Sequence, residues 1–157
     1  MPLPRRGTLI APDKAFVHRV SVQEADIDWQ GHTSNVVFVQ WLTDAASAHS
    51  ESIGMTRNGS EHFTDLMWVI RKHELEYYSF AGLGDKLTIV TWIDSVRGAT
   101  ADRCSIIRRD GDDKLMVQAV TTWAMIDTKR SRPVRVPKDM LAPYGYDPNR
   151  PPSALPR

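Results

Sequence analysis

One cysteine, Cys104, stands in 157 residues. That excludes an internal disulfide and leaves too few thiols for a zinc–cysteine site. No apolar run approaches the roughly 20 residues that a bilayer-spanning helix needs. The first residues, Met1-Pro-Leu-Pro-Arg-Arg-Gly7, are basic but lack the apolar core of an export signal. Formal net charge is only +1, so no global field points to nucleic acid. No Gly-x-Ser-x-Gly elbow, phosphate-binding glycine loop or His-Glu-x-x-His pattern occurs. The expectation is a cytoplasmic protein with no metal centre, no membrane partner and no nucleic-acid partner.

What is present fits one domain with an ordinary core: 41% hydrophobic residues against 25% charged. Residues 1–15 hold three prolines and little periodicity, and read as an arm. Phe16 to Glu24 alternates as a strand. Residues 26–35 form a loop. Ser34, Thr33 and Asn35 are competent N-caps, and Gly54 supplies a stop, so a helix is expected from about 34 or 35 to about 53. Its apolar stripe is Phe38, Leu42, Ala45 and His49. Such a helix spans roughly 27 Å, long for this chain length, and is expected to be central. Residues 55–64 read as a polar loop. Strands are expected at Leu66–Phe80, Lys86–Val96, Thr100–Arg109 and Leu115–Ile126, with a hairpin signal at Asp110-Gly-Asp-Asp113. Pro133 and Pro137 close the sheet. Residues 141–157 are Pro-rich and read as a surface or disordered tail, which leaves the domain at 16–140.

One strand, one long helix and then four strands joined by short turns is an α+β pattern. An antiparallel sheet must bury one apolar face, and a single long helix is available to cover it. The sheet, of about five strands, is expected to curl around that helix in the hotdog arrangement.

The densest chemistry lies just before the helix, in Asp26-Ile27-Asp28-Trp29-Gln30-Gly31-His32-Thr33-Ser34-Asn35. A helix start offers free N–H groups and positive potential beside these side chains. Asp28 is the leading acid or base. Its bland alternative is a loop carboxylate bonding backbone amides. Asp26 is assigned a structural part, holding the loop by an Asx-type bond. His32 can orient water or substrate, or bond Asp28. Gly31 suits a positive φ or a close ligand. Asn35 can cap the helix or turn its amide toward a carbonyl. Cys104, mid-strand, is expected to pack as a small hydrophobe. The basic residues 71, 72, 97, 103, 108 and 109 read as solvated strand faces, some of them able to grip phosphates.

Asp26-x-Asp28-x-x-Gly31-His32-x-x-Asn35-x-x-Phe38-x-x-Trp41 resembles the signature of hotdog-fold acyl thioesterases. These include the bacterial 4-hydroxybenzoyl-CoA thioesterase-like enzymes and the plant acyl-ACP thioesterases. The resemblance runs through Gly84-Asp85 to Arg132-Pro133-x-Arg135-Val136-Pro137 and covers roughly residues 16–140. It implies a thioester hydrolase acting on acyl-CoA or acyl-ACP, with catalytic residues Asp28, His32 and Asn35 and substrate contacts from Gly31, Ser34 and Phe38. It also implies a homodimer, often paired into a tetramer, with sites at the subunit interface. No separate cofactor is implied, because coenzyme A or the ACP phosphopantetheine arrives with the substrate. The plant pattern has asparagine where this chain has Gln30, so the bacterial aspartate mechanism transfers better. Two other readings stay open: a hotdog hydratase or dehydratase, for which His49 is the one helical histidine, and a non-catalytic acyl-CoA-binding module. Trp41, Trp68, Trp92 and Trp123 can line the acyl pocket and favour short or aromatic acyl groups, or simply fill the core.

Overall fold

The computed structural model describes residues 7–55 and 63–153. Its elements are β1 (Phe16–Ser21), α1 (Asn35–Ser52), β2 (Leu66–Tyr77), β3 (Lys86–Arg97), β4 (Thr100–Arg109), β5 (Leu115–Asp127), β6 (Arg132–Pro133) and α2 (Lys138–Leu141). The sheet is antiparallel, in the order β1-β3-β4-β5-β2, with β6 paired to the end of β5. The expected architecture is present: one long helix laid against a sheet that needs a cover.

Ser34 starts α1 by accepting the Val36 amide on its hydroxyl at 3.3 Å. This satisfies one of the orphan donors of the first turn. Gly54 follows at φ 81°, the left-handed conformation that ends helices cheaply. Between these ends Phe38, Trp41, Leu42, Ala45, Ala46 and His49 are buried. Phe38, Trp41, Leu42 and Ala45 pack with Leu87, Ile89, Ile107, Val117 and Ala119 of the sheet's inner face. The inner set of β1 is Phe16, His18 and Val20, and Val17 and Arg19 face out.

Several boundaries differ from the expectation. β2 stops at Tyr77, three residues early, because residues 78–85 turn to meet the loop before the helix. A register shift lies between Ile70 and Lys72, and another between Ile93 and Ser95, so simple alternation fails at Arg71 and Asp94. Packing also runs past residue 140: Met140, Leu141 and Tyr144 are buried against Ile93 and Met125. The segment read as a tail from 141 thus contributes to the core. Its Pro143 lies in a single tight turn (Ala142–Tyr144) that swings the Tyr144 ring inward.

The outer face of β3, β4 and β5 is covered too. Leu9 of the expected arm packs with Trp92, Cys104, Ile106 and Val120. The Leu9 amide donates to Gln118 Oε1 at 3.1 Å. Asp94 there accepts from Trp92 Nε1, Arg150 Nη2 and the Ser153 amide at 2.9, 3.1 and 3.0 Å. Central strands buried on both faces, β4 among them, have weak sequence alternation. No helix is long and apolar enough to cross a membrane among the described residues.

Candidate active site

The loop before α1 is built by its own carboxylates. Asp28 Oδ1 accepts the Gln30 amide at 2.9 Å and, more loosely, the His32 amide at 3.4 Å. Two backbone bonds close the same turn: Asp28 N–H to His32 O at 2.8 Å and Gly31 N–H to Asp28 O at 3.0 Å. Gly31 sits at φ 82°, which an L side chain would resist. The Asx-type bond therefore belongs to Asp28, not to Asp26. Asp26 reaches backward, with Oδ2 accepting the Gln23 amide at 2.8 Å and its carbonyl accepting the Ser34 amide at 3.0 Å. The two aspartates divide the work in this way because only Asp28 lies two residues before an amide that the Gly31 turn points inward.

Thr33 is not the helix cap that its residue type allows but the loop's anchor. It is buried. Its amide and hydroxyl both donate to Ala81 O at 3.1 Å, and the Ala81 amide donates back to the hydroxyl at 3.1 Å. This pins the loop to the connection between β2 and β3.

Asp28 is half-buried, and its Oδ2 has no hydrogen-bond partner among the described residues. His32 is exposed, with its ring stacked on Phe80 at 5.2 Å. Asn35 is exposed as well, and its carbonyl accepts the Tyr77 hydroxyl at 3.2 Å. The Asn35 amide, at the first helical position, has no acceptor among the described residues. Ser34 is committed to capping. Asp28, Gly31, His32, Ser34 and Asn35 thus share one surface region. Phe38 does not: it is fully buried, packing edge-on against Trp41 and Tyr77. Trp29, Val36 and Leu83 are largely exposed around the same region. No group of three or more potential metal-ligating side chains occurs among the described residues.

A cavity of ≈ 480 Å³ opens under the C-terminal half of α1. Ligand pockets span roughly 300–1,000 Å³. Trp68 and Trp123 line it, with Ile70, Ile93 and Met125. Trp41 is core beside Phe38, and Trp92 lies on the outer face.

Arg103 also lines this cavity, which overturns its reading as a solvated strand residue. It is 5% exposed. In register it faces Ile93 on β3 and Thr121 on β5, which puts it on the helix side of the sheet. Its Nη1 donates to His49 Nδ1 and to Thr91 Oγ1, both at 3.1 Å. Tyr144 lies under its guanidinium at 5.9 Å. The His49 ring stacks on Phe16 at 4.7 Å and meets the Tyr144 ring edge-on. Burial, and then the charge of Arg103, push His49 down to about 4, so its ring is neutral at neutral pH. Burial pushes Arg103 down to about 10, which leaves it charged at neutral pH. The sequence offered no clear sign of this pair, because β4 carries polar residues on both faces.

Comparison with known proteins agrees with this architecture. Slr0204, a 1,4-dihydroxy-2-naphthoyl-CoA thioesterase from Synechocystis, superposes with a TM-score of 0.75 at 17% identity, over 83% of this chain and 96% of that one. Protein SAV2348 of Staphylococcus aureus, whose structure was solved with CoA, gives 0.77 at 16% identity over 92% and 90%. In sequence, the chloroplastic acyl-[acyl-carrier-protein] hydrolase FATB3 of Cuphea viscosissima is 21% identical over 85% of this chain, which spans 34% of that relative's length. The acyl-ACP thioesterase N-terminal domain matches residues 13–144, from just before β1 to the buried Tyr144, and to that family the chain belongs.

Proposed function

We propose that this chain hydrolyses acyl thioesters of coenzyme A or acyl carrier protein, with Asp28 as general base or nucleophile. The observation that carries the reading is the state of Asp28. One carboxylate oxygen is fixed by two loop amides, and the other has no partner among the described residues, beside a helix start.

As a base, Asp28 takes a proton from water while the water oxygen attacks the thioester carbonyl carbon. The C–S bond then breaks, and the thiolate leaves with that proton. As a nucleophile, Asp28 attacks the same carbon, expels the thiolate and forms a mixed anhydride that water opens. In either case the Asn35 amide is the available first-turn donor for the developing oxyanion. Such contacts contribute roughly 3–4 kcal/mol each. His32, held against Phe80, and the Asn35 side chain position water or substrate. Gly31 leaves room for the thioester arm. Phe38 supports the helix from inside the core.

The reading includes a homodimer. Its support is the outer edge of β2, which among the described residues pairs with β5 alone and leaves Met67 and Val69 partly exposed. The apolar first half of this edge invites strand pairing, and Arg71, Lys72, Glu74 and Glu76 occupy its second half. A hydratase acting through His49 finds less support, because the ring lies between Phe16 and Tyr144 and is absent from the cavity lining.

The test is thiol release from a panel of acyl-CoAs and acyl-ACPs with wild type and Asp28→Asn. Loss of at least roughly 100-fold in the variant, with folding intact, is expected. Undiminished release would remove Asp28 from the mechanism. Saturable binding without any release would leave a binding module.

A further inference from the structure

The cavity under α1 carries two donors that its own walls do not satisfy. The guanidinium of Arg103 spends Nη1 on His49 and Thr91, both neutral, and its Nε and Nη2 have no acceptor among the described residues. None of the described ion pairs involves Arg103. The second donor is Trp123 Nε1, buried without a hydrogen-bond partner. Ala101 faces Trp123 and Arg103 faces Thr121 across the same pair of strands, so Arg103 and Trp123 are diagonal neighbours on one face. Both line the cavity.

Buried cations are normally paired, and buried N–H groups normally find acceptors. The remaining walls are largely apolar, among them Leu66, Trp68, Ile70 and Met125, and the hydroxyls on the lining, those of Thr43, Ser47, Ser50 and Tyr144, bond neither donor among the described residues. The carboxylate on the lining, Glu51, is exposed, and no ion pair joins it to Arg103. A plain alkyl chain filling this space would displace water and strand both donors. A hydroxyl would serve the indole N–H but leave the cation uncompensated. A carboxylate answers both, since its planar pair of oxygens matches a guanidinium fork and has lone pairs to spare.

We propose that this cavity is an acyl pocket selective for acyl groups with a carboxylate at the end remote from the thioester, that is, for monothioesters of dicarboxylic acids. The methylene chain lies on the apolar walls, and Arg103 and Trp123 bind the distal carboxylate. Naming this ligand an acyl group rests on the thioesterase reading. Selective binding of the carboxylate does not.

Calorimetric titration with octanamide and with the monoamide of octanedioic acid tests this directly, because neither compound is a thioester. Wild type is expected to bind the monoamide at least roughly tenfold more tightly. Arg103→Met should abolish the preference, and Trp123→Phe should reduce it by a smaller factor. Equal or weaker binding of the monoamide by wild type overturns the proposal, as does a preference that survives Arg103→Met. Thiol release from octanoyl-CoA and from the CoA monothioester of octanedioic acid separates the two readings. Selective amide binding with no release from either thioester sinks hydrolysis and leaves the pocket assignment standing.

Discussion

Arg103 Nη1 lies 3.1 Å from His49 Nδ1. A guanidinium only donates, so Nδ1 accepts and the imidazole proton sits on Nε2. The pair ties the middle strand of the sheet to the last turns of α1. It holds because His49 stays neutral.

That neutrality makes stability depend on pH. In the unfolded chain His49 titrates near 6.5, and in the fold it is held down to about 4. Between these values the unfolded state binds more protons, so stability is complete above the upper value and falls as pH drops through the window. From about pH 7.5 to about pH 5 the loss attributable to His49 is about 2 kcal/mol. Burial also lowers His73, which acts in the same direction. Urea denaturation at the two pH values should show the loss, and His49→Gln, whose amide oxygen still accepts from Arg103, should remove most of it.

Removing the charge should let His49 titrate higher. Burial is the larger cause of its depression and Arg103 the smaller. In Arg103→Met the NMR titration of the His49 ring should therefore move up from about 4 yet stay below 6.5. No movement would mean that the two groups are not coupled as their 3.1 Å contact indicates.

How these groups were hidden or visible in the sequence is a matter of burial. α1 was legible almost to the residue, because Ser34 caps it, Gly54 ends it and one apolar stripe runs between them. β4 and β5 were legible as strands, since turn residues bracket them. The side on which Arg103 falls was not. One face of β4 carries Ala101, Arg103, Ser105 and Ile107, the other Asp102, Cys104, Ile106 and Arg108, and each mixes apolar with polar. Only the register with Ile93 and Thr121 assigns it inward. The loop was legible as a cluster but not as a division of roles. Asp26 and Asp28 are the same residue two positions apart, and the Gly31 turn decides which one folds over its own amides.

That division predicts different outcomes for conservative and truncating changes at Asp28. Asp28→Asn keeps an oxygen for the Gln30 amide and should cost little stability. Asp28→Ala removes the acceptor and should destabilise the fold by about 1 kcal/mol, the size of one exposed hydrogen bond. Thermal unfolding of the two variants checks this. Equal melting temperatures would show that Asp28 does not hold the turn.

Thr33 should matter more to stability than any of the polar residues around it. Its buried hydroxyl donates to Ala81 O and accepts from Ala81 N, both at 3.1 Å. Thr33→Val preserves shape but orphans the Ala81 amide, at a cost of about 1–3 kcal/mol. Thr33→Ser keeps the hydroxyl and should recover most of that. The loop carrying Asp28 and His32 is held to the β2–β3 connection at this point, so thiol release should fall in Thr33→Val and return in Thr33→Ser. A valine variant as stable as wild type would mean that the anchor lies elsewhere.

Trp123→Phe should leave stability nearly unchanged. The indole N–H is buried with no acceptor, so the empty protein bears its desolvation without a compensating bond. Phenylalanine removes the donor and keeps an aromatic ring beside Met125 and Trp68. It also leaves a small void where the second ring stood. The two effects oppose each other at about 1 kcal/mol each, so the unfolding free energy from denaturant titration should stay within that margin of wild type. A loss of several kcal/mol, as deletion of a satisfied core tryptophan gives, would show that the N–H already has a partner, and would remove one of the two donors assigned to the distal carboxylate.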